Sequence, residues 1–328
     1  MIRVMYRRGD GTIDAALGAE GIPGALDDPA GLLWVDFLNE PDDSCERILH
    51  DVFHFHPLAI DDALRESHVP KLDDWQTYLY LVLHALVFDP ATDGQLSTQE
   101  LDIFAGPRYI VTHREQEIES LNRVWAACPK DERMMGRGAA RLLYHLVDEI
   151  VAAHMPVVDA IDEEMDRLEE LILASPGPAT LPQVLRIKRS LLHLRRIVAP
   201  QRETLNRLAR DEFAVIDAGQ RVYFRDVYDH LVRLYDIAEG LRDLAAGALD
   251  TYLSVINNRM NEVMKTFTFI TTLFMPITFI TGFFGMNFFT ASNPPAPWTG
   301  RIAFVVICAA MVLVPGLLYL WLKKKRWV

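Results

Sequence analysis

The chain has 328 residues, 50% of them hydrophobic, and its 45 acidic side chains outnumber the 33 basic ones, giving a formal net charge of −12. Nucleic acid is therefore not an expected partner, because its phosphates bind basic surfaces. The three cysteines show neither CxxC nor Cys/His spacing, which argues against a structural zinc site.

Residues 1–130 carry the pattern of a cytosolic α/β domain. Segments rich in Val, Ile, Leu, Tyr and Phe, bounded by Gly, Pro and Asp, predict strands, and the segments between them predict helices. The domain has neither a phosphate-binding glycine loop nor a nucleophile elbow, so we do not expect an enzyme. The predicted strands are Ile2–Arg7, Leu32–Leu38, Thr77–Phe88 and Leu101–His113, and the predicted helices are Pro41–His50, Pro57–Glu66 and Glu115–Ala127.

Residues 131–265 predict a helical hairpin followed by a stalk helix. Two helical segments, Ala139–Leu173 and Leu181–Phe213, are separated by a Ser-Pro-Gly-Pro sequence that stops a helix. A third helix begins near Val222 and meets no proline before Pro276, which is roughly 80 Å at 1.5 Å per residue. Because a small domain cannot contain such a length, we expect this helix to continue into a membrane.

Charge is divided between the two helices of the hairpin. The segment Asp159–Glu170 holds seven acidic residues against one arginine, whereas Arg186–Arg210 holds eight basic residues. One interpretation is a hairpin with complementary solvated faces. The other is that the surplus carboxylates attract cations, and the two interpretations are compatible.

The C-terminal part of the chain predicts two membrane spans. Thr266–Phe284 is free of charged residues and long enough to cross a bilayer, and Ile302–Leu322 is a second apolar segment. The loop Phe288–Gly300 between them is uncharged, while basic residues lie before the first span and in Lys323–Arg326 after the second. The positive-inside rule therefore places both termini in the cytoplasm. We assign 266–287 to a pore-lining transmembrane helix, 288–300 to an outer loop, and 301–328 to a second transmembrane helix with a basic cytosolic tail.

Four sequence blocks resemble the CorA family of divalent-cation channels. They are YFRDVYDH (Tyr223–His230), NEVMK (Asn261–Lys265), FMPITFITGFFGMNF (Phe274–Phe288) and LKKKRWV (Leu322–Val328). The resemblance is dense over the last hundred residues or so and looser elsewhere.

This resemblance implies an α+β membrane protein with an N-terminal cytosolic α/β domain, a long helical stalk and two C-terminal transmembrane helices per subunit. It also implies a homopentamer in the lipid of the cytoplasmic membrane, which moves hydrated Mg²⁺ and is gated by intracellular metal. Co²⁺ and Ni²⁺ often accompany Mg²⁺ as cargo in the family. A zinc transporter resembling ZntB, or a membrane-anchored sensor or scaffold that does not transport, are the alternatives.

The Gly-Met-Asn motif, Gly285, Met286 and Asn287, is the expected selectivity filter. Mg²⁺ dehydrates reluctantly, so a ring of neutral oxygens that hydrogen-bonds the hydrated ion suits it better than an anionic cage. Asn287 supplies a carboxamide oxygen, and the other two residues supply carbonyls at the negative end of a helix. The following loop has no carboxylate, unlike the acidic loop common in the family, which leaves open a different metal preference.

A stripe at three- and four-residue spacing predicts the pore wall. It is polar at its cytosolic end, then apolar, then lined by threonine, and the apolar part would gate the pore by dewetting. A packing seam between helices is the simpler interpretation of such a stripe. The residues are Asp250, Asn261, Met264, Phe267, Thr271, Met275 and Thr278, with Met264 and Phe267 as the constriction.

The block Tyr223–His230 matches the family stretch that holds a metal site between subunits. Asp226 is the candidate ligand on the stalk, Asp229 lies in the same stretch, and Asp89 is a plausible partner on a neighbouring subunit. Carboxylates alone suit a hard cation such as regulatory Mg²⁺. Exposed helix charges that bind no metal are the alternative.

Overall fold

The computed structural model describes residues 1–65, 69–89, 94–286 and 300–325. It divides into two units, Met1–Tyr252 and Leu253–Val328. One long helix contributes residues to both units, and its sequence carries most of the predicted functional residues.

The first unit is built on a seven-stranded sheet with the order β2-β1-β3-β7-β6-β5-β4. Strands β3 and β7 pair in parallel, with Val35 opposite Val111, and the other neighbouring pairs are antiparallel. The strands are β1 (Ile2–Arg7), β2 (Ile13–Asp14), β3 (Leu32–Leu38), β4 (Lys71–Asp74), β5 (Leu79–Phe88), β6 (Leu96–Ala105) and β7 (Tyr109–Arg114).

Successive strand residues point to opposite faces of the sheet, and helices pack on the apolar side chains. Val35, Val82 and Val111 belong to the core cluster that packs against α1 (Ile22–Asp27), α2 (Asp42–Arg47) and α3 (Pro57–Leu64). Three further helices contact strands β5–β7. The other α-helices that precede the long helix are α4 (Glu119–Ala127), α5 (Glu132–Met135), α6 (Ala139–Ala152), α7 (His154–Ala174) and α8 (Thr180–Arg210).

Two predicted elements are wrong in a way that proline and glycine explain. The predicted strand Leu101–His113 is two strands, β6 and β7, joined by a turn in which the Gly106 N–H donates to the Tyr109 carbonyl at 3.0 Å. The predicted helix Ala139–Leu173 breaks at Ala153 into α6 and α7. Pro156 lies just after the break, and its ring would clash with the carbonyl four residues earlier in a continuous helix.

The predicted hairpin forms between α7 and α8, and its contact surface is apolar. Both helices bury aliphatic side chains, such as Ile161 in α7 and Ile187 in α8, and the two helices contact each other. The charged side chains of α7 and α8 form ion pairs outside this contact surface. Arg167 pairs with glutamates of its own helix α7, and Arg195 of α8 pairs with Glu239 at 3.4 Å.

The helix α9 spans Arg221–Gly285, 65 residues, as the absence of proline before Pro276 predicts. Its first part is amphipathic, with buried residues every three or four positions. Among the described residues of this helix, the last buried one is Ala248. The buried residues are Phe224, Val227, Leu231, Leu234, Ala238, Leu241, Ala245 and Ala248.

A buried glutamine ties α7 and α8 to the sheet. The Gln201 side-chain N–H donates to Nε2 of His154 at 3.1 Å, and its carbonyl oxygen accepts from the His84 backbone N–H at 3.1 Å. Both Gln201 and His154 are fully buried. Burial lowers the pKa of His154 to about 4, so its imidazole is neutral in the folded protein.

Acid should weaken the buried contact between Gln201 and His154. An unfolded chain binds a proton at His154 below about pH 6.5, so the stability is present above that pH and is lost as pH falls toward 4. Between pH 7 and pH 4, we expect the free energy of unfolding of the wild type to fall by on the order of 2 kcal/mol more than that of a His154→Gln variant. Thermal unfolding of the detergent-solubilised protein at both pH values measures this, with His50→Gln at an exposed site as the control. An equal loss in wild type and His154→Gln would contradict the assignment.

Candidate ion pathway and cytosolic metal site

The predicted pore face of α9 is exposed in a single chain. Met264 is 59% exposed, Phe267 63% and Met275 66%, which are large values for apolar side chains in a folded protein. Exposed apolar surfaces of this size are typical of sites that contact a membrane or another protein. Asn261, Thr271 and Thr278 of the same unit are also exposed, as is Asp250 in the first unit.

Among the residues that the structure describes, two helices are long and apolar enough to cross a membrane. They are α9 and α10 (Arg301–Lys324), whose most apolar windows have mean hydropathies of 1.7 and 2.6, and no part of either window is buried within the structure. The two helices touch, since the rings of Phe269 and Tyr319 lie 6.1 Å apart. Their length and composition agree with the predicted spans.

Threonine hydroxyls of α9 bond back to their own helix. Each donates to the carbonyl four residues earlier, at 2.8–3.0 Å, so the hydroxyl proton is satisfied without water. This arrangement suits a helix in hydrocarbon, where polar groups must be satisfied internally. It also leaves the hydroxyl oxygen of Thr278 on the predicted pore face as an acceptor. The threonines are Thr266, Thr268, Thr272, Thr278 and Thr281.

The predicted filter lies where α9 ends. Gly285 is the last residue of the helix, and Met286 follows it with its side chain 53% exposed. The Met286 N–H donates to the Phe283 carbonyl at 3.4 Å, and this long hydrogen bond closes the last turn only weakly. Asn287 lies outside the described residues, so its carboxamide role stays a prediction.

The predicted regulatory residue Asp226 has charged neighbours in its own chain. It is exposed on α9, and its charge acts on Asp148 of α6, as does that of His230 one turn further along α9. Burial raises the pKa of Asp148, a Tyr144 hydrogen bond lowers it, and the negative charges of Glu149 and Asp226 raise it further. A cation near Asp148 and Asp226 would relieve this repulsion.

Two of these neighbours were not predicted from sequence. His230 stands four residues after Asp226 on one helix, a spacing that places both on the same side. Asp148 gives no such signal, because it comes from another helix more than seventy residues earlier in the chain. Only the packing of α6 against α9 brings it to Asp226.

The other predicted metal residues stay candidates. Asp89 is exposed and directly follows β5, and its carbonyl accepts from the Gly94 N–H at 3.2 Å. Asp229 is exposed on α9. In the part of the chain that the structure describes, no three His, Cys, Asp or Glu side chains are grouped closely enough to hold a metal ion.

A large α/β unit followed by two membrane-length helices defines a membrane protein with a soluble N-terminal domain. The model of the CorA-like Mg²⁺ transporter protein family matches residues 29–324. The chain belongs to this family, as the four sequence blocks predict.

Curated relatives cover most of the chain. The putative metal ion transporter YfjQ of Bacillus subtilis is 34% identical over 295 residues, which is 90% of this chain and 89% of the relative. The cobalt/magnesium transport protein CorA of Thermotoga maritima is 33% identical, covering 85% of this chain and 78% of the relative. The zinc transport protein ZntB of Yersinia pseudotuberculosis is 24% identical, covering 83% and 81%.

Solved structures share the fold. The CorA magnesium transporter of Methanocaldococcus jannaschii matches with a TM-score of 0.82 at 21% identity, covering 99% of this chain and 98% of that one. The full-length CmaX protein matches with a TM-score of 0.77, also at 21% identity, covering 99% and 97%. The predicted fold class is therefore confirmed, with a soluble α/β domain, a long helix and two C-terminal apolar helices.

If Met264 and Phe267 form a dewetting constriction, making either one small and polar should wet it. We expect Met264→Ser and Phe267→Ser to raise Mg²⁺ leak into proteoliposomes by about threefold or more when the channel is held closed by internal Mg²⁺. Leu273→Ser is the matched control, because Leu273 lies on the opposite side of the same helix, about 180° around from Met264 and about 120° from Phe267. Unchanged leak in both pore-face variants would show that the constriction lies elsewhere.

Proposed function

We propose that this protein is a homopentameric divalent-cation channel that moves hydrated Mg²⁺ across the cytoplasmic membrane.

 The observation that carries this proposal is the family match over residues 29–324, which includes both apolar helices, the long α9 and α10. Transport, rather than covalent catalysis, is the activity proposed.

One chain cannot enclose a pore, so the pathway requires several copies of α9 around an axis. The exposed stripe from Asn261 to Thr278 supports this arrangement, because its polar and apolar side chains need neighbours other than those in their own chain. We propose that residues 266–287 line the pore and that 288–300 form the outer loop. The membrane potential would drive the ion inward, with roughly 4.6 kcal/mol for a divalent cation per 100 mV.

Mg²⁺ is the proposed cargo, with Co²⁺ and Ni²⁺ as secondary ions. Two relatives, one named as a metal ion transporter and one for cobalt and magnesium transport, are 34% and 33% identical to this chain, whereas the zinc transport protein ZntB of Yersinia pseudotuberculosis is 24% identical. Zn²⁺ is the second candidate, because the loop after the Gly-Met-Asn motif carries no carboxylate. Flux measurements with separate ions distinguish the two.

The proposed orientation places both termini in the cytoplasm. Lys323, Lys324 and Lys325 follow the second span directly, and Arg259 and Lys265 precede the first apolar stretch. Positive residues of this kind stay on the cytoplasmic side. The soluble unit would then sample cytosolic metal.

The proposed regulation is a Mg²⁺ site between subunits. Asp226 and Asp148 of one chain would meet Asp89 of a second copy, with His230 and Asp229 at the edge of the site. Burial is the main cause of the raised pKa of Asp148, and the negative charges of Glu149 and Asp226 add to it; a bound cation would neutralise that repulsion, which supports a metal there. Because Asp226 lies on α9, metal binding there would bias the helix that continues into the pore wall.

The filter proposal predicts the effect of one substitution. Asn287→Ala removes the carboxamide that would hydrogen-bond the hydrated ion in every subunit, so Mg²⁺ uptake should fall by at least about tenfold. Uptake into proteoliposomes measures this, alongside size-exclusion chromatography to verify assembly. Asn293→Ala, the same change in the following loop, is the control. Normal uptake by a correctly assembled Asn287→Ala protein would rule out the filter assignment.

The regulatory proposal predicts a change in metal response. Asp226→Asn and Asp148→Asn each remove a negative charge from the site, so the Mg²⁺ concentration that half-protects the soluble unit from protease should rise at least about tenfold. Inhibition of flux by internal Mg²⁺ should weaken in parallel. Asp236→Asn, at an exposed position further along α9, should leave both unchanged. Full protection and inhibition in Asp226→Asn would exclude this site as the sensor.

A further inference from the structure

A buried acid–base pair lies in the middle of the sheet. Asp102 of β6 and His113 of β7 stand directly opposite each other in the strand register. Asp102 is 2% exposed and His113 is 5% exposed. The Tyr80 hydroxyl donates to Oδ1 of Asp102 at 2.6 Å, which fixes the carboxylate on one side. The predicted ion pathway and metal site use none of these groups.

The pair is set slightly apart beside a small polar cavity. Nδ1 of His113 lies 3.7 Å from Oδ2 of Asp102, too far for a direct hydrogen bond, and it has no hydrogen-bond partner among the described residues. The cavity of about 20 Å³ has the size of one water molecule, and Asp102 and His113 both line it. Thr98 and Gln116 are further polar residues of its wall. The cavity therefore has room for one water molecule next to both groups.

The surroundings favour holding a proton on the imidazole. Although burial opposes a charge, the neighbouring Asp102 carboxylate and Cys45 raise the pKa of His113 to about 10. Burial raises the pKa of Asp102 to about 6. Both shifts favour the protonated form of the group concerned in the folded protein. The other titratable or charged groups around it are Cys45 of α2, Asp62 of α3, Lys71 of β4, Tyr80 and His84 of β5, Glu100 of β6, Arg114 of β7 and Glu115 after it.

The pair is connected to the helices that cover the sheet. Cys45 of α2 is fully buried and interacts with His113, and Ala63 of α3 lines the cavity. Both residues belong to the core cluster that holds α2 and α3 against the strands. If these helices lift from the sheet, His113 becomes exposed to water.

We propose that Asp102, His113 and the adjoining cavity form a proton-binding latch that holds α2 and α3 against the sheet. The ligand is a proton with one bridging water, and the latch does not depend on the proposed transport. In the closed state α2 and α3 are packed on the sheet, and the proton stays on His113 beside the Asp102 carboxylate. In the open state these helices have lifted from the sheet, and the imidazole has the pKa that it has in water.

The direction of the pH effect follows from these two states. An exposed imidazole releases its proton above about pH 6.5, whereas the closed site retains it to a much higher pH. The contribution of His113 to the stability of the closed state is therefore present below pH 6.5 and is lost as the pH rises toward 10. Asp102 acts in the same direction at lower pH, because its raised pKa makes the closed state bind a proton more readily below pH 6.

Hydrogen exchange of the full-length protein in detergent tests the latch. Protection factors of residues 42–64, corrected for intrinsic exchange rates, should fall up to about fifty-fold between pH 6.5 and 8.5 as opening releases one proton. In Asp102→Asn the imidazole loses its counter-charge, so the fall should shrink to less than about threefold. His113→Gln removes the titrating group and should give the same small change, which keeps the test decisive if Asp102→Asn does not fold.

Two controls separate the latch from other causes. Asp162→Asn, an exposed charge on α7, should retain the wild-type pH response. Millimolar Mg²⁺ at pH 8.5 should not restore protection of residues 42–64, and restoration would mean that the site binds metal instead of a proton. Protection that does not change with pH in the wild type, or a wild-type response in folded His113→Gln, would overturn the proposal.

Discussion

The structure depends on one constraint, which is that α9 must be stable in two different environments. Up to Ala248 its sequence places an apolar side chain every three or four residues, and these are buried in the soluble unit. Beyond that point the described part of the helix exposes large apolar side chains, such as Met264 and Phe267. A helix satisfies its own backbone hydrogen bonds, so it is one of the few structures that can continue into hydrocarbon. In the proposed oligomer, lipid and further copies of α9 would cover this exposed part.

This constraint also explains why charge is found where it is. Asp226 and His230 lie in the part of α9 that packs in the soluble unit, where water can reach them, whereas Thr266–Gly285 carries no charged residue. The threonines of that apolar stretch bond to their own backbone and so avoid unpaired polar groups in the membrane. A metal that favours one arrangement of Asp226 therefore acts on the same helix that would form the pore wall. Its effect is limited to its difference in affinity for the two arrangements.

Local patterns in the sequence predicted the elements whose signals are local. The strands Ile2–Arg7 and Leu32–Leu38 have the predicted bounds, and the length of α9 follows from its lack of proline before Pro276. The turn at Gly106 was missed because it interrupts a run of Val, Ile and Phe that reads as one strand. The break before Pro156 was missed because a proline in the first turn of one helix was taken for a proline inside a longer one.

Contacts between distant segments could not be predicted in this way. Asp148 approaches Asp226 only because α6 packs on α9, and the pairing of Asp102 with His113 depends on the register of β6 against β7. Periodicity identifies which side of an element is buried, but not which polar side chain it will meet there. The filter motif was recognised through family resemblance, since a glycine and an asparagine at a helix end are otherwise typical of a cap.

The central claim is that α9, assembled from several subunits, conducts hydrated Mg²⁺ down the membrane potential. Mg²⁺ uptake by the wild-type protein in liposomes, measured at increasing inside-negative potentials with Zn²⁺ and Co²⁺ in parallel, tests it most directly. The account predicts Mg²⁺ uptake that rises with the potential and exceeds Zn²⁺ uptake, because a divalent ion gains roughly 4.6 kcal/mol per 100 mV. Uptake of Zn²⁺ with exclusion of Mg²⁺, or no potential-dependent Mg²⁺ uptake by correctly assembled protein, would contradict it.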